Sequence, residues 1–127
     1  MRKKIHLTKA VQSDGMLLLH TEHPERLSVL EASGQMVVDS DEHSFVYLAS
    51  DTNEYTYLYI PEAVWPEIKA AMDRELEIAA VSGEERLPLS GLQEELSYLI
   101  GNIEGNSNYG ESLVEKVEAV FLHSARA

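Results

Sequence analysis

The chain has 127 residues, no cysteine, and 22 Asp+Glu against 10 Lys+Arg, for a formal net charge of −12. That length supports a core without disulfides, and the missing cysteine excludes both a disulfide framework and a thiol nucleophile. The acidity repels phosphate backbones, so the counterion-release term behind nucleic-acid binding has the wrong sign.

The start, MRKKIHL, is basic like the head of a signal peptide. The apolar run that would have to follow is broken by His6, Thr8, Lys9, Gln12, Ser13 and Asp14, and Met16 to Leu19 is too short to span a bilayer. A cytoplasmic setting is expected, with no membrane partner. Arg2, Lys3 and Lys4 form the one basic cluster.

Ile5 and Leu7 alternate with polar neighbours, and Asp14-Gly15 supplies a tight turn before Met16 to Thr21, which predicts a β-hairpin. Pro24 to Ser33 reads two ways: as a short helix carrying Leu27 and Leu30 with Gly34 past its end, or as a strand with Leu27 and Val29 alternating. Met36 to Asp39, Phe45 to Ala49 and Tyr55 to Ile60 are expected strands, rich in β-branched and aromatic residues. Their short polar connections suit antiparallel neighbours. From Pro61 the period becomes helical through Val64, Trp65, Ile68 and Met72.

Leu76, Ile78 and Ala80 predict another strand, turning at Ser82-Gly83 into an extension through Leu87 and Leu89. Ser90 and Gln93 have capping-box spacing, and Leu92, Leu96, Leu99, Ile100 and Ile103 form one helical stripe. Gly105 is placed to end that helix in a left-handed conformation. The last helix carries Leu113, Val114, Val117, Val120 and Phe121 on one face, with Glu111 near its start and His123 and Arg126 toward its end. The expectation is a single α+β domain over residues 1–127. It comprises an antiparallel sheet of about five to seven strands, packed on one face by two or three helices.

The segments VDSDEHSFVYL, EYTYLYIPEAVWP and EELSYLIGNIEGNSNYGESLVEKVE resemble the YjbL-like proteins of bacilli, a family of short, acidic, uncharacterised bacterial proteins. The resemblance runs through most of the chain and is sharpest from Glu94 to Glu111, while Pro24 to Ser33 and the tail after Phe121 match poorly. It implies a cytoplasmic bacterial protein and brings no assigned activity, cofactor or catalytic residue.

Asp39, Asp41, Glu42 and His43 crowd one connection, but the spacing matches neither a calcium loop nor a zinc site, and such residues commonly bond the local backbone. No metal site and no cofactor are expected. The first hairpin leaves room for His6 and His20 to oppose each other, a pairing as easily structural as functional. Tyr47, Tyr55, Tyr57 and Tyr59 suggest an aromatic sheet face, either packed under the helices or forming a protein-binding surface. The loop NIEGNSNYG holds glycines and amides able to cradle an anion, yet it lacks the lysine of a phosphate loop and carries Glu104 and Glu111 nearby. Asn and Gly also accept left-handed angles and cap helices.

The reading that follows is a non-enzymatic cytoplasmic domain that binds a protein partner, a second copy of itself included, and no nucleic acid. The alternative is a small enzyme or ligand-binding protein with its site at Asn102, Asn106, Asn108 and Tyr109.

Overall fold

A computed structural model describes residues 3–51 and 54–122 of the chain. Arg2, His123 and Arg126, noted above, lie outside the described residues. Strands β1 (Lys3–Ser13) and β2 (Met16–Thr21) form the expected hairpin, with Asp14 and Gly15 both at positive φ as the tight turn demands. β3 (Glu31–Asp39), β4 (Ser44–Ser50) and β5 (Tyr55–Pro61) follow as a meander. A 3-10 turn over Glu62–Val64 leads into α1 (Trp65–Asp73), then β6 (Glu77–Ser82) and β7 (Glu85–Pro88). α2 (Leu92–Ile103) and α3 (Glu111–Val117) complete the chain, the latter widening into a π turn at Glu118–Leu122.

The fold is α+β, with one seven-stranded sheet in the order β3-β4-β5-β1-β2-β6-β7. The sheet is mixed, which corrects the antiparallel expectation: β1 runs parallel to β5, and β2 runs parallel to β6. The first hairpin sits in the middle, and the later segments dock on its two flanks. Short polar turns reveal only antiparallel neighbours, whereas the parallel partners lie far apart in sequence: β2, β3 and β4 intervene between β1 and β5, and β3, β4, β5 and α1 between β2 and β6.

Two irregularities set which residues face inward. On β1, Leu7 pairs with Thr21 but Lys9 pairs with His20, so one extra residue flips the alternation and Ala10 turns toward the core. This is why His6 and His20 do not oppose each other: His6 faces Tyr59 across the parallel joint, and His20 faces Lys9. On β3, the register slips between Ala32 and Met36. The ambiguous segment from Pro24 contains no helix. A turn closed by the Leu30 N–H donating to the Leu27 carbonyl at 3.1 Å buries both leucines and opens directly into β3.

The inner sheet face carries Ile5, Leu7, Leu19, Phe45, Tyr47, Leu58 and Ile60, and the three helices pack on it. Trp65 is fully buried there, with its ring centroid 5.0 Å from Phe45 and 5.8 Å from Phe121. Its indole N–H donates to the Ile60 carbonyl at 2.9 Å. The expected stripe of α2 is buried throughout.

The sheet curls until its two ends approach. The Ser28 N–H donates to Glu85 Oε1 at 2.8 Å, and a Cβ built on Gly91 would meet the Cα of Gly34 at 3.4 Å. Both glycines are left-handed, at φ +77 and +76. Tyr47 locks the seam: its buried hydroxyl accepts the Gly34 N–H at 3.0 Å and donates to the Ser90 carbonyl at 2.5 Å. Gly91 takes the N-cap position of α2 without any side-chain bond, and the Gln93 amide reaches the Leu76 carbonyl. The expected capping box therefore does not form, because closing the seam puts a left-handed glycine where Ser90 would have to act.

Candidate functional site

The turn at residues 40–43 joins β3 to β4 and is the hub of the polar structure. It is stabilised locally by Asp39, whose Oδ1 accepts the Glu42 N–H at 3.1 Å, and it closes with His43 at φ +48. From this turn, side chains spread in two directions.

On the outer face of the sheet, away from the helices, Tyr59 donates its hydroxyl to Asp39 Oδ2 at 2.8 Å. Glu42 meets Lys4 Nζ at 3.1 Å through one carboxylate oxygen and His6 Nε2 at 3.2 Å through the other. Lys4 lies 5.0 Å above the Tyr59 ring, and the His6 ring is 5.1 Å from it. The parallel β1–β5 pairing creates this cluster, since it sets His6 beside Tyr59 and Lys4 beside Tyr57. A depression of about 280 Å³ adjoins it, lined by Val37, Val46, Tyr57 and Tyr59 with Asp39 and Asp41.

Glu42, Asp39, Tyr59 and Lys4 are held in their resting states. The His6 and Lys4 contacts keep the Glu42 carboxyl below its usual range. Burial pushes Asp39 upward, but the Tyr59 hydroxyl, the Glu42 amide and the Lys4 ammonium together outweigh it and hold the carboxyl low. Burial, then the bond to Asp39 and its charge, raises the Tyr59 phenol, and the Glu42 contact raises Lys4. Each shift moves its group away from neutrality, opposite to what general acid–base catalysis requires.

In the other direction the turn meets the Asn-rich loop. The Ser40 hydroxyl donates to the Tyr109 carbonyl at 2.8 Å, and Ser112 Oγ lies 3.2 Å from His43 Nε2. Asn106 Oδ1 accepts the Asn108 N–H at 3.1 Å, capping the 3-10 turn Ser107–Tyr109, while its Nδ2 donates to the Asn102 carbonyl at 3.2 Å. Gly105, left-handed as expected at φ +67, donates its N–H to Glu118 Oε2 at 2.9 Å. Tyr109 is half-buried against the core. Gly110 takes the N-cap position of α3, so Asn108 does not cap that helix.

The tyrosines divide between the faces. Tyr47 points inward, while Tyr57 and Tyr59 lie on the helix-free face, so the β5 tyrosine face does not pack under the helices. Asp39 and His43 turn apart, toward Tyr59 and Ser112 respectively, and among the described residues no group of three or more His, Asp or Glu side chains gathers as a metal site would require. The sequence reading missed the Lys4–His6–Glu42–Tyr59 cluster; its members share a site only through a parallel joint that no local pattern encodes.

Among the described residues, no helix is long and apolar enough to cross a membrane. The model of a family of unknown function, UPF0738, matches residues 5–121. The chain is 40% identical over 122 residues to the UPF0738 protein YjbL of Bacillus subtilis (strain 168), covering 96% of this chain and all of that protein. It is 39% identical to a UPF0738 protein of Bacillus velezensis and 37% identical to one of Bacillus pumilus, with the same coverage. No solved structure matches the chain significantly. With a family match over nearly its whole length, and relatives of equal extent in bacilli, the chain belongs to the UPF0738 family.

Proposed function

We propose that this chain is a single-domain, cytoplasmic, non-enzymatic protein-binding module whose contact surface is the helix-free outer face of β3, β4, β5 and β1. The observation that carries this reading is the combination of Val37 at 47% exposed and Tyr55 at 54% exposed with half-buried Leu48 and Tyr57 on the same face. Exposed apolar and aromatic side chains on a surface that no helix among the described residues covers are typical of interface cores. The neighbouring Asp39, Glu42, Lys4 and Tyr59 are fixed in charge, which suits recognition better than proton transfer. The net charge of −12 argues against nucleic acid as the partner.

A photo-crosslinking amino acid placed at Tyr55, compared with one at Ser97 on the exposed side of α2, tests this reading in bacterial cells. A discrete crosslinked product from position 55 alone is expected. Equal products from both positions, or none from either, would refute the assignment of the face.

The alternative places a ligand site at Asn102, Asn106, Asn108 and Tyr109. It requires Asn106 to release the Asn108 N–H and the Asn102 carbonyl that it holds. A metabolite that raises the melting temperature of the wild type but not of an Asn106→Ala, Asn108→Ala double variant would favour it over the surface reading.

A further inference from the structure

The two edges of the sheet are protected unequally. β7 is short, four residues, and ends at Pro88, two common devices against unwanted strand pairing. β3 is nine residues long. Its first half is irregular, and the amides there are occupied: Gly34 donates to the Tyr47 hydroxyl and Gln35 to the Ser33 hydroxyl. From Met36 to Asp39 the strand returns to regular pairing with β4 and contains neither proline nor lysine. An edge strand turns half of its backbone donors and acceptors away from the sheet. Val37, 47% exposed, stands in the middle of this regular stretch.

We infer that the Met36–Asp39 stretch of β3 accepts an extended, basic segment of a partner protein as an additional strand, with its side chains seated over the Val37–Val46–Tyr57–Tyr59 depression. This deepens the protein-binding reading of the outer face and rests on it. In strand addition, main-chain bonds supply affinity and alternate side chains supply selectivity. A residue of the added strand lying beside Val37 extends the cross-strand row Val37–Val46–Tyr59 onto apolar and aromatic surface. Residues two or more positions along the segment, on the same face of the added strand, come to Asp39 and Asp41, the charged members of the lining.

Charge decides the occupant. A second copy of this chain brings another −12. A segment rich in lysine or arginine meets complementary carboxylates and a ring of the kind on which the chain already seats its own Lys4, 5.0 Å above Tyr59.

The probe is a short fluorescent peptide of repeated Val-Thr-Lys-Thr, which alternates valine and lysine along one face of a strand, titrated with the full chain at physiological salt and read by anisotropy. The same peptide with glutamate for lysine, and the lysine peptide N-methylated at every residue so that neither edge can pair, serve as comparators. Saturable binding of the lysine peptide alone is expected. Val37→Lys should weaken it by about tenfold or more, and Asp41→Asn by about threefold, while Glu94→Gln, with the same charge change on α2, should leave it intact. Circular dichroism melts of each variant establish that all are folded.

Equal binding of the N-methylated peptide, or equal loss in Glu94→Gln, would mean diffuse attraction to an acidic surface and would overturn strand addition. So would no binding at millimolar protein. A wild-type dimer in light scattering that becomes monomeric in Val37→Lys would assign the edge to a second copy and overturn the basic partner. A crosslink from Tyr55 without edge binding removes this inference while leaving the protein-binding face in place; no crosslink from Tyr55 removes the face itself.

Discussion

Tyr47→Phe isolates what holds the curled sheet closed. The ring is fully buried, and removing only the hydroxyl opens little space, so the cavity penalty of larger truncations is nearly absent. What disappears is a pair of hydrogen bonds, one from the Gly34 N–H at 3.0 Å and one to the Ser90 carbonyl at 2.5 Å. At a net of about 0.5–1.5 kcal/mol each, their loss costs roughly 1–3 kcal/mol. Position within that range depends on rehydration: Ser90 is exposed and its carbonyl can recruit water, whereas Gly34 is half-buried between β3 and the start of α2. Urea denaturation followed through Trp65, the single tryptophan and a fully buried one, should show a lower midpoint with an unchanged slope. Amide exchange should accelerate at Gly34 and at the first turn of α2, and stay unchanged in β1 and β2 when compared under conditions where local opening dominates. Tyr98→Phe, at 66% exposure, is the control and should change nothing. A Tyr47→Phe loss under about 0.5 kcal/mol, or uniform exchange changes across the sheet, would refute the idea that this hydroxyl fastens the seam.

Trp65→Ala should cost about 3–5 kcal/mol from the cavity alone, with the Ile60 carbonyl losing its donor in addition; a melting midpoint within a degree of wild type would contradict the burial. Asp39 and Glu42 have folded pKa values below their ordinary 3.8 and 4.5, so their contribution to stability is complete above the unfolded values and is lost as pH falls through the folded ones. Denaturation midpoints should therefore decline between about pH 5 and pH 3, and Glu42→Gln should flatten part of that decline; an unchanged slope in the variant would count against the Lys4–His6–Glu42 contacts. Gly105→Ala should destabilise by about 1 kcal/mol or more through its left-handed φ of +67, and Asn106→Ala by about 0.5–2 kcal/mol as the cap of the 3-10 turn is lost, both measured by urea midpoint.

Much of the fold was legible because local chemistry determined it. The Asp14-Gly15 turn, the change of period at Pro61, the α2 stripe and the left-handed Gly105 each follow from residues within a few positions of one another. The strand order was not legible. Nothing near Ile5 or His6 announces that β5 will dock in parallel beside them, and the extra residue at the β1 bulge reverses which later residues face the core. The same gap concealed the candidate site. Asp39 and Glu42 were visible as polar turn residues, Lys4 as part of a basic cluster and Tyr59 as one of a run of tyrosines. The antiparallel meander brings Asp39 to Tyr59, and only the parallel joint adds Lys4 and His6 to them. The capping box failed for a related reason: Ser90 and Gln93 have the right spacing, but the seam closure at Gly34 and Gly91 imposes another backbone there.

The position of the Asn-rich loop gives it a physical role. It joins α2 to α3 and also supports the β3–β4 turn, through Ser40 on the Tyr109 carbonyl and Ser112 beside His43. That turn in turn fixes Asp39 against Tyr59 and Glu42 against Lys4 and His6. A chain of short contacts therefore runs from the loop, across the end of the sheet, to the exposed face around Val37. A simple linker would leave the turn free to move, and with it the carboxylates at the end of β3. Asparagine and glycine suit the task because they satisfy their own backbone in left-handed and capped conformations, leaving Tyr109 to pack on the core and its carbonyl to hold Ser40. The loop belongs to the apparatus that shapes the outer face, since the bond from Ser40 to its Tyr109 carbonyl ties it to the turn that places Asp39 against Tyr59 and Glu42 against Lys4.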